Sequence, residues 1–323
     1  MPNKSHFNKG HIALNRMNRD DIKHKSHIDF AVPEKTKQAL ITADCLDVLK
    51  SLPDNSVQLI LIDPPYNLDI SVWDTFSNYI EWASSWIDEA YRVLSPNGSC
   101  AIFGGTQFQD IKSGDLIEII YYTRHKTKFR LVNTVVWYYK NGMSAHRYFA
   151  NRHEEIIWLT KTDKYYFDLD SVRIKFDEET MQLYLKDKRL NPENVAKGKN
   201  PTNVWEIGRL NGNSKERVGH PTQKPLEIVR RLVKALSYPG SFVLDFFAGS
   251  GTTGRVCIEE DRNCIMVDSD PKSKEFFASH MKLMNGLGIQ KSYDLFDSLS
   301  GFMNDDGTLW PKVTQKRFAP CGA

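Results

Sequence analysis

The chain has 323 residues, 41% of them hydrophobic, enough to bury a large core as one sizeable α/β domain with insertions or as two smaller domains. It contains no run of about 18 apolar residues, and its first stretch, MPNKSHFNKGHIALNRMNRDD, lacks the apolar core of a signal peptide, so a cytoplasmic protein without membrane contact is expected. The net charge is only +3, and the five cysteines (Cys45, Cys100, Cys257, Cys264, Cys321) form no CxxC, which speaks against a disulfide framework and a structural zinc.

Residues 1 to 37 hold eight Lys or Arg, four acids and four of the nine histidines without sustained periodicity, which predicts a basic, loosely packed or disordered arm. From Gln38 the pattern changes. QALITADCLDVLKSL predicts a short strand, a turn at Ala43 to Cys45 and a helix; VQLILIDPP predicts a strand buried on both faces, as in parallel sheets. YIEWASSWIDEAYRVL places Ile80, Ala83, Ile87, Ala90 and Leu94 at helical spacing, stops at Ser95 to Gly98, and leads into the buried strand SCAIFGG. Helix and strand alternate, so the class is α/β.

LVNTVVWYY and HEEIIWLTK then predict an antiparallel pair at one sheet edge, with a turn signal at Asn141 and Gly142. Between Ile119 and His153 stand seven basic residues and no acid, interleaved with aromatics that include Trp137, Tyr139, Tyr148 and Phe149. Such a stretch suits a polyanion, because cations neutralise phosphates and rings stack on bases; a solvated basic strand edge is the plainer alternative. From Thr162 to Val218 regularity drops and Asn, Gly and Pro accumulate, which predicts a separate lobe. PLEIVRRLVKALS is an amphipathic helix, SFVLDFFAGSGTTGRVCIEE a strand, glycine turn and helix, and NCIMVDSD a strand that ends in acids.

Two constellations carry chemistry. In VLDFFAGSGTTG an apolar strand ends at Asp245, and Gly249, Gly251 and Gly254 surround the start of a helix, where backbone amides approach a ligand closely. Asp268 follows about twenty positions after the loop, where an acid in a βαβ unit suits ribose hydroxyls. GSGTTG matches the dinucleotide pattern formally. Asp245, however, puts a carboxylate on the ligand side of the loop, which welcomes a cationic amino acid moiety and repels a pyrophosphate, so S-adenosylmethionine fits better than a nucleotide.

The second constellation is LILIDPPYNLD. In open α/β sheets ligands sit beyond the C-terminal strand ends, where Asp63 to Tyr66 would lie. Pro64 and Pro65 make a stiff corner that leaves the Pro64 carbonyl free to accept a hydrogen bond, while Asp63 supplies a second acceptor and Tyr66 a flat face. Two acceptors and a ring match an exocyclic amino group on a planar base. A proline turn that merely ends a strand is the alternative.

Asp63, Pro64, Pro65 and Tyr66 resemble the DPPY motif of the amino-methyltransferases that modify adenine N6 or cytosine N4 in DNA; DFFAGSGTT resembles their cofactor loop, and HPTQKP, His220 to Pro225, the segment that closes over the cofactor's methionine end. The motif order resembles the β class of these enzymes, over roughly residues 38 to 285. The resemblance implies the S-adenosylmethionine-dependent methyltransferase fold: a Rossmann-like mixed sheet of seven strands in circularly permuted motif order, with a small target-recognition lobe. It also implies a catalytic half at 38–161 with DPPY, a lobe at 162–218, a cofactor half at 219–290 and a tail at 291–323.

Carried over residue by residue, Asp63, Pro64, Pro65 and Tyr66 are the catalytic group, with Tyr66 stacking on a flipped base. Asp44 and Cys45 lie near the cofactor adenine. Asp245, Phe247, Ala248, Gly249, Ser250, Gly251 and Thr252 hold its methionine part, Asp268 its ribose, and His220, Pro221, Thr222 and Lys224 its carboxylate end. One departure stands out: Asp268 precedes SDP, where relatives often carry Glu followed by a residue and Asn, so a shorter acid stands at the ribose position.

The partner implied is double-stranded bacterial DNA, with a cognate restriction endonuclease acting separately and the oligomeric state left open. Candidate DNA contacts are Lys140, Arg147, Arg152, Arg173, Lys188, Arg189, Arg209 and Arg217. The stretches NGMSA, FANRHEE, KDKRLNPE and RLNGNSKERVGHPTQKP are similar to members that modify GAATTC, which implies that target. Asp63 favours adenine, since the cytosine-N4 members more often have Ser before PPY; a non-catalytic DNA-binding regulator is the reading from another class. His153 to Glu155 open an apolar strand, and no metal is expected there.

Overall fold

The computed structural model describes residues 30–68, 74–106, 116–142, 144–147 and 149–309. Residues 1–29 of the expected arm, 310–323 of the expected tail, and Tyr148 of the basic aromatic stretch lie outside the described residues. Val32–Pro311 forms one unit.

That unit is built on a sheet with the order β6-β4-β5-β3-β2-β7-β8-β1-β9, comprising β1 (Thr36–Thr42), β2 (Val57–Ile62), β3 (Leu94–Gly104), β4 (Arg130–Tyr138), β5 (His153–Thr160), β6 (Val204–Glu206), β7 (Phe242–Asp245), β8 (Asn263–Asp268) and β9 (Tyr293–Phe296). Where seven strands are expected, nine pair among the described residues, because β6 and β9 extend the two edges. The pair β4–β5 is antiparallel as expected, but β6 lies parallel outside β4 and takes the edge position. Thus β6, from the segment expected as a separate lobe, and β9, from the expected tail, are both hydrogen-bonded into the main sheet.

Among the described strands only β5 runs against the others, pairing antiparallel with both β3 and β4. One end of the sheet therefore collects the last residues of β1, β2, β7 and β8 together with the first residues of β5. The strand that leads into DPPY and the strand that leads into the glycine loop are far apart in sequence but hydrogen-bonded neighbours, Leu59 opposite Val243 and Ile60 opposite Leu244.

Every residue of β2 is buried. Leu59 and Leu61 pack into the layer formed with α6 (Leu226–Leu236), α7 (Thr252–Glu259) and α8 (Ser273–Gly286). Ile60 and Ile62 pack into the opposite layer with α1 (Cys45–Ser51), α2 (Tyr79–Val93) and α3 (Leu116–Lys126). Alternate residues of a strand face opposite sides, so an unbroken apolar run satisfies both layers, each buried Leu or Ile contributing about 1.5–3 kcal/mol. In α2 the buried stripe is Tyr79, Ala83, Trp86, Ile87, Ala90 and Val93; Ile80 is only half-buried, and Leu94 already belongs to β3. Between β5 and β6 lie α4 (Glu178–Lys186), which buries no residue, and α5 (Pro192–Lys197). Among the described residues no helix is long and apolar enough to cross a membrane.

Candidate active site

The sheet end where the strands converge opens into a cleft of about 590 Å³, whose lining includes Asp44, Asp63, Tyr66, Lys224, Asp245 and Asp268.

At the end of β2 the two prolines end the ladder, and neighbouring side chains fix the residues beyond them. Asn67 takes φ 56°, a left-handed conformation that Asn tolerates. The wholly buried Asp74 accepts the amide hydrogens of Asn67 (2.8 Å) and Leu68 (2.9 Å), and Asn67 Oδ1 accepts that of Phe76 at 2.7 Å. The Tyr79 hydroxyl donates to the Pro65 carbonyl at 2.8 Å. No donor among the described residues engages the Pro64 carbonyl, which stays available. The Tyr66 hydroxyl donates to Asp63 Oδ1 at 2.9 Å; burial first, and then the carboxylates of Asp63 and Glu154, push its pKa well above that of an ordinary phenol, so it stays a donor.

At the end of β7 Asp245 is 5% exposed, and burial pushes its pKa up to about 7 despite hydrogen bonds from the Thr253 side chain and the Phe247 amide. The loop after it turns at Gly249 (φ 48°) and Gly251 (φ 77°) and delivers the amide end of α7 to the cleft. Asp268, at the end of β8, accepts the Gly249 amide hydrogen at 2.7 Å and the Asp270 amide hydrogen at 2.8 Å; burial raises its pKa. Asp44, at the end of β1, caps α1 by accepting the Leu46 amide hydrogen at 2.8 Å. Burial, and secondarily the Asp44 charge, push the Cys45 thiol up to about 12, so it is an inert part of the wall.

The HPTQKP segment is locked before α6 begins. Buried Gln223 accepts the Val218 amide hydrogen at 2.9 Å and donates to the Glu216 carbonyl at 2.7 Å, while the Glu216 carboxylate accepts the Leu226 amide hydrogen at 3.1 Å. Burial lowers the pKa of His220, which lies against the glycine loop.

Each catalytic candidate lines the cleft, and so does every cofactor candidate except Gly251. An added Cβ at Gly251 would lie 2.8 Å from the Phe277 ring, so this glycine serves the packing of the loop on α8. Lys224, with a side chain 11% exposed, places its ammonium 2.8 Å from Asp63 Oδ2 and 3.2 Å from Glu154 Oε2. Glu154 is the acid that sequence reasoning missed: it begins a strand, and only the reversed direction of β5 brings it beside residues that end strands. Trp137, Tyr139, Phe103, Trp82 and Phe76 also line the cleft; for Trp137, Phe103 and Trp82 the periodicity of their strands and helix is a signal equally consistent with plain core.

Of the DNA candidates only Arg209 and Arg217 reach the cleft. The Arg209 guanidinium lies 5.1 Å from the Tyr139 ring centre, and Arg217 donates to the His220 carbonyl at 3.0 Å. Arg173 is directed inward, bonded to Asp170 at 2.7 Å, Asn200 at 2.6 Å and the Gly198 carbonyl at 3.0 Å, and it braces the segment expected to read DNA. Lys140 pairs with Glu206, and Arg152 donates to the carbonyls of Gly142 and Asn151. Arg189 pairs with Asp187 yet is 89% exposed, and Arg147 and Lys188 are exposed.

Residues 57–279 match the family model for DNA methylases of the N6/N4 type. The Type II methyltransferase M.HpaI of Haemophilus parainfluenzae is 36% identical over 238 residues, spanning 72% of this chain and 70% of that protein. The DNA adenine methyltransferase YhdJ of Escherichia coli K12 is 32% identical over 242 residues, spanning 72% of this chain and 78% of that protein. The solved structure of the cytosine-N4-specific PvuII DNA methyltransferase superposes with a TM-score of 0.58 at 19% identity, covering 82% of this chain and 99% of that one, which establishes a shared fold. The chain belongs to the N6/N4 DNA methylase family.

Proposed function

We propose that this protein is an S-adenosylmethionine-dependent DNA methyltransferase that modifies adenine N6 in a specific duplex sequence, GAATTC, as the modification partner of a restriction endonuclease. One observation carries this reading: the Asp63–Tyr66 corner and the loop from Asp245 to Thr252 open on one cleft. The similarity to an adenine methyltransferase and to a Type II methyltransferase supports the adenine and restriction-modification readings.

The residues present fit the cofactor. Buried Asp245 is a partner for its cationic amino group, the amide end of α7 and Asp268 flank the loop, and Trp82 and Phe247, with ring centres 5.7 Å apart, offer aromatic surface for its adenine near Asp44. When bound, it supplies an electrophilic methyl group on a sulfur that leaves as a neutral thioether. The chain does the rest. Adenine N6 is a poor nucleophile while its lone pair is delocalised into the ring. Asp63 and the Pro64 carbonyl draw its two hydrogens out of the ring plane and restore lone-pair character, and Tyr66 stacks on the base. A carboxylate of reference pKa about 4 is too weak a base for a neutral amine, so the proton leaves after the transfer, when the nitrogen is cationic. Reaching N6 requires the base to leave the duplex stack, at about a few kcal/mol.

Transfer of tritium from labelled cofactor to duplex DNA, followed by nucleoside analysis, tests the reading. Label in N6-methyladenine, lost when GAATTC is altered, supports it. Label in N4-methylcytosine makes the enzyme a cytosine methyltransferase, and absence of label makes it a regulator.

A further inference from the structure

The Lys224 ammonium sits in a cage richer than an ion pair requires. It bonds to Asp63 at 2.8 Å and Glu154 at 3.2 Å, and lies 5.1, 5.4 and 5.9 Å from the ring centres of Tyr66, Phe103 and Trp137. Burial alone would lower the Lys224 pKa, but the two carboxylates outweigh it and hold it above the ordinary lysine value. Rings and carboxylates together form a pocket that favours positive charge.

Net charge decides how much favour remains for a substrate. Two carboxylates and one ammonium leave the cluster one net negative charge. The proposed methyl transfer, on which any catalytic role of this cluster rests, develops positive charge on the target nitrogen beside Asp63. Without Glu154, Lys224 would belong to Asp63 alone and the pair would be neutral.

Two adjacent glutamates on β5 divide the labour by strand alternation. Glu155 accepts from the Thr106 amide at 3.1 Å and hydroxyl at 2.6 Å and pairs with His153 at 3.0 Å, tying down the chain after β3. Glu154 faces the cleft, where its described polar partners are Lys224 and, at 3.3 Å, the Tyr66 hydroxyl.

We infer that Glu154 is a positioning residue of the transfer step: it holds Lys224 so that the cluster of Asp63, Glu154 and Lys224 keeps one net negative charge where the target nitrogen becomes cationic. Glu154→Gln removes the charge and keeps the shape. Single-turnover transfer to duplex DNA at saturating cofactor is expected to slow by about ten- to a hundredfold. Cofactor affinity by equilibrium binding, and entry of the target base by 2-aminopurine fluorescence, are expected to stay within about threefold, because neither step develops the charge. Glu154→Asp, which keeps the charge on a shorter stem, is expected to retain more of the rate than Glu154→Gln.

The double variant Glu154→Gln with Lys224→Gln decides the matter, since it restores one net negative charge through Asp63. It is expected to transfer at least about tenfold faster than Glu154→Gln alone, a non-additivity that a purely structural Glu154 would not produce. A double variant no faster than the single, or a Glu154→Gln variant with parental rate, overturns the assignment alone. Failure of the parent chain to label DNA overturns the functional reading and this assignment with it.

Discussion

Asp268 accepts the amide hydrogen of Gly249 at 2.7 Å, tying the end of β8 to the loop after β7. The same carboxylate accepts the Asp270 amide hydrogen at 2.8 Å, so one side chain fixes the glycine loop and the start of the β8–α8 connection. Asp268→Asn presents an NH₂ donor to one of two amide donors. Charge-assisted bonds of this kind contribute about 1.5–3 kcal/mol, so cofactor affinity by equilibrium binding is expected to fall about ten- to a hundredfold.

Asp63 has a different task and a different expected phenotype. Its side-chain contacts are Tyr66 and Lys224, in the same cleft as Asp44 and Phe247. Asp63→Ala is expected to leave cofactor affinity within about threefold while the transfer rate falls about a hundredfold or more. A collapse of cofactor binding with the rate per bound complex preserved would assign Asp63 to the cofactor instead.

Asp245 makes a prediction with a sign. Burial, aided by the Asp63 and Asp268 charges, raises its folded pKa to about 7, above the value of about 4 for an unfolded aspartate. Between about pH 4 and 7 the folded state therefore holds a proton that the unfolded state has lost, so this group's contribution to stability falls as pH rises and levels off above 7. Asp245→Asn removes that loss, and its Tm relative to the parent is expected to rise from acid to neutral pH. Binding a cationic amino group needs the ionised carboxylate, so parental cofactor affinity should strengthen with pH up to about 7 and then flatten. Calorimetry at pH 6 in buffers of different ionisation enthalpy should detect proton release on binding, absent in the Asn variant.

Gly251 supports the site without lining it. At φ 77° it holds a conformation that costs an L-residue about 1–2 kcal/mol, and an added Cβ would meet Phe277 at 2.8 and 3.2 Å. Gly251→Ala is expected to lower stability by about 2 kcal/mol or more, read as a fall in Tm, and to weaken cofactor binding in parallel because α7 can no longer seat on α8.

Local chemistry made much of this legible from the chain alone. VQLILI announces a strand buried on both faces because every residue but one is apolar, and β2 is that strand. DPPY and the glycine loop announce themselves because fixed proline φ and left-handed glycine are backbone properties, written where they act. The acids after three strands are legible for the same reason: a strand's end is marked in sequence, and in a parallel sheet strand ends meet. Gln223 and Glu216 were not legible, since their bonds lock a segment through partners that composition does not mark.

What the sequence determined by itself is the elements marked by local pattern, such as β2, α2, α6 and β7, with the stiff corner and the glycine turn, all of which depend on neighbours along the chain; β6, β9, α4 and α5 are not among them. What only the tertiary structure decided is which charges share the cleft. Strand order and the reversal of β5 depend on packing across the whole sheet, and they bring Glu154 to Lys224 and Lys224 to Asp63. Coulomb energy depends on distance through space, so the balance of charge in the pocket was set by folding.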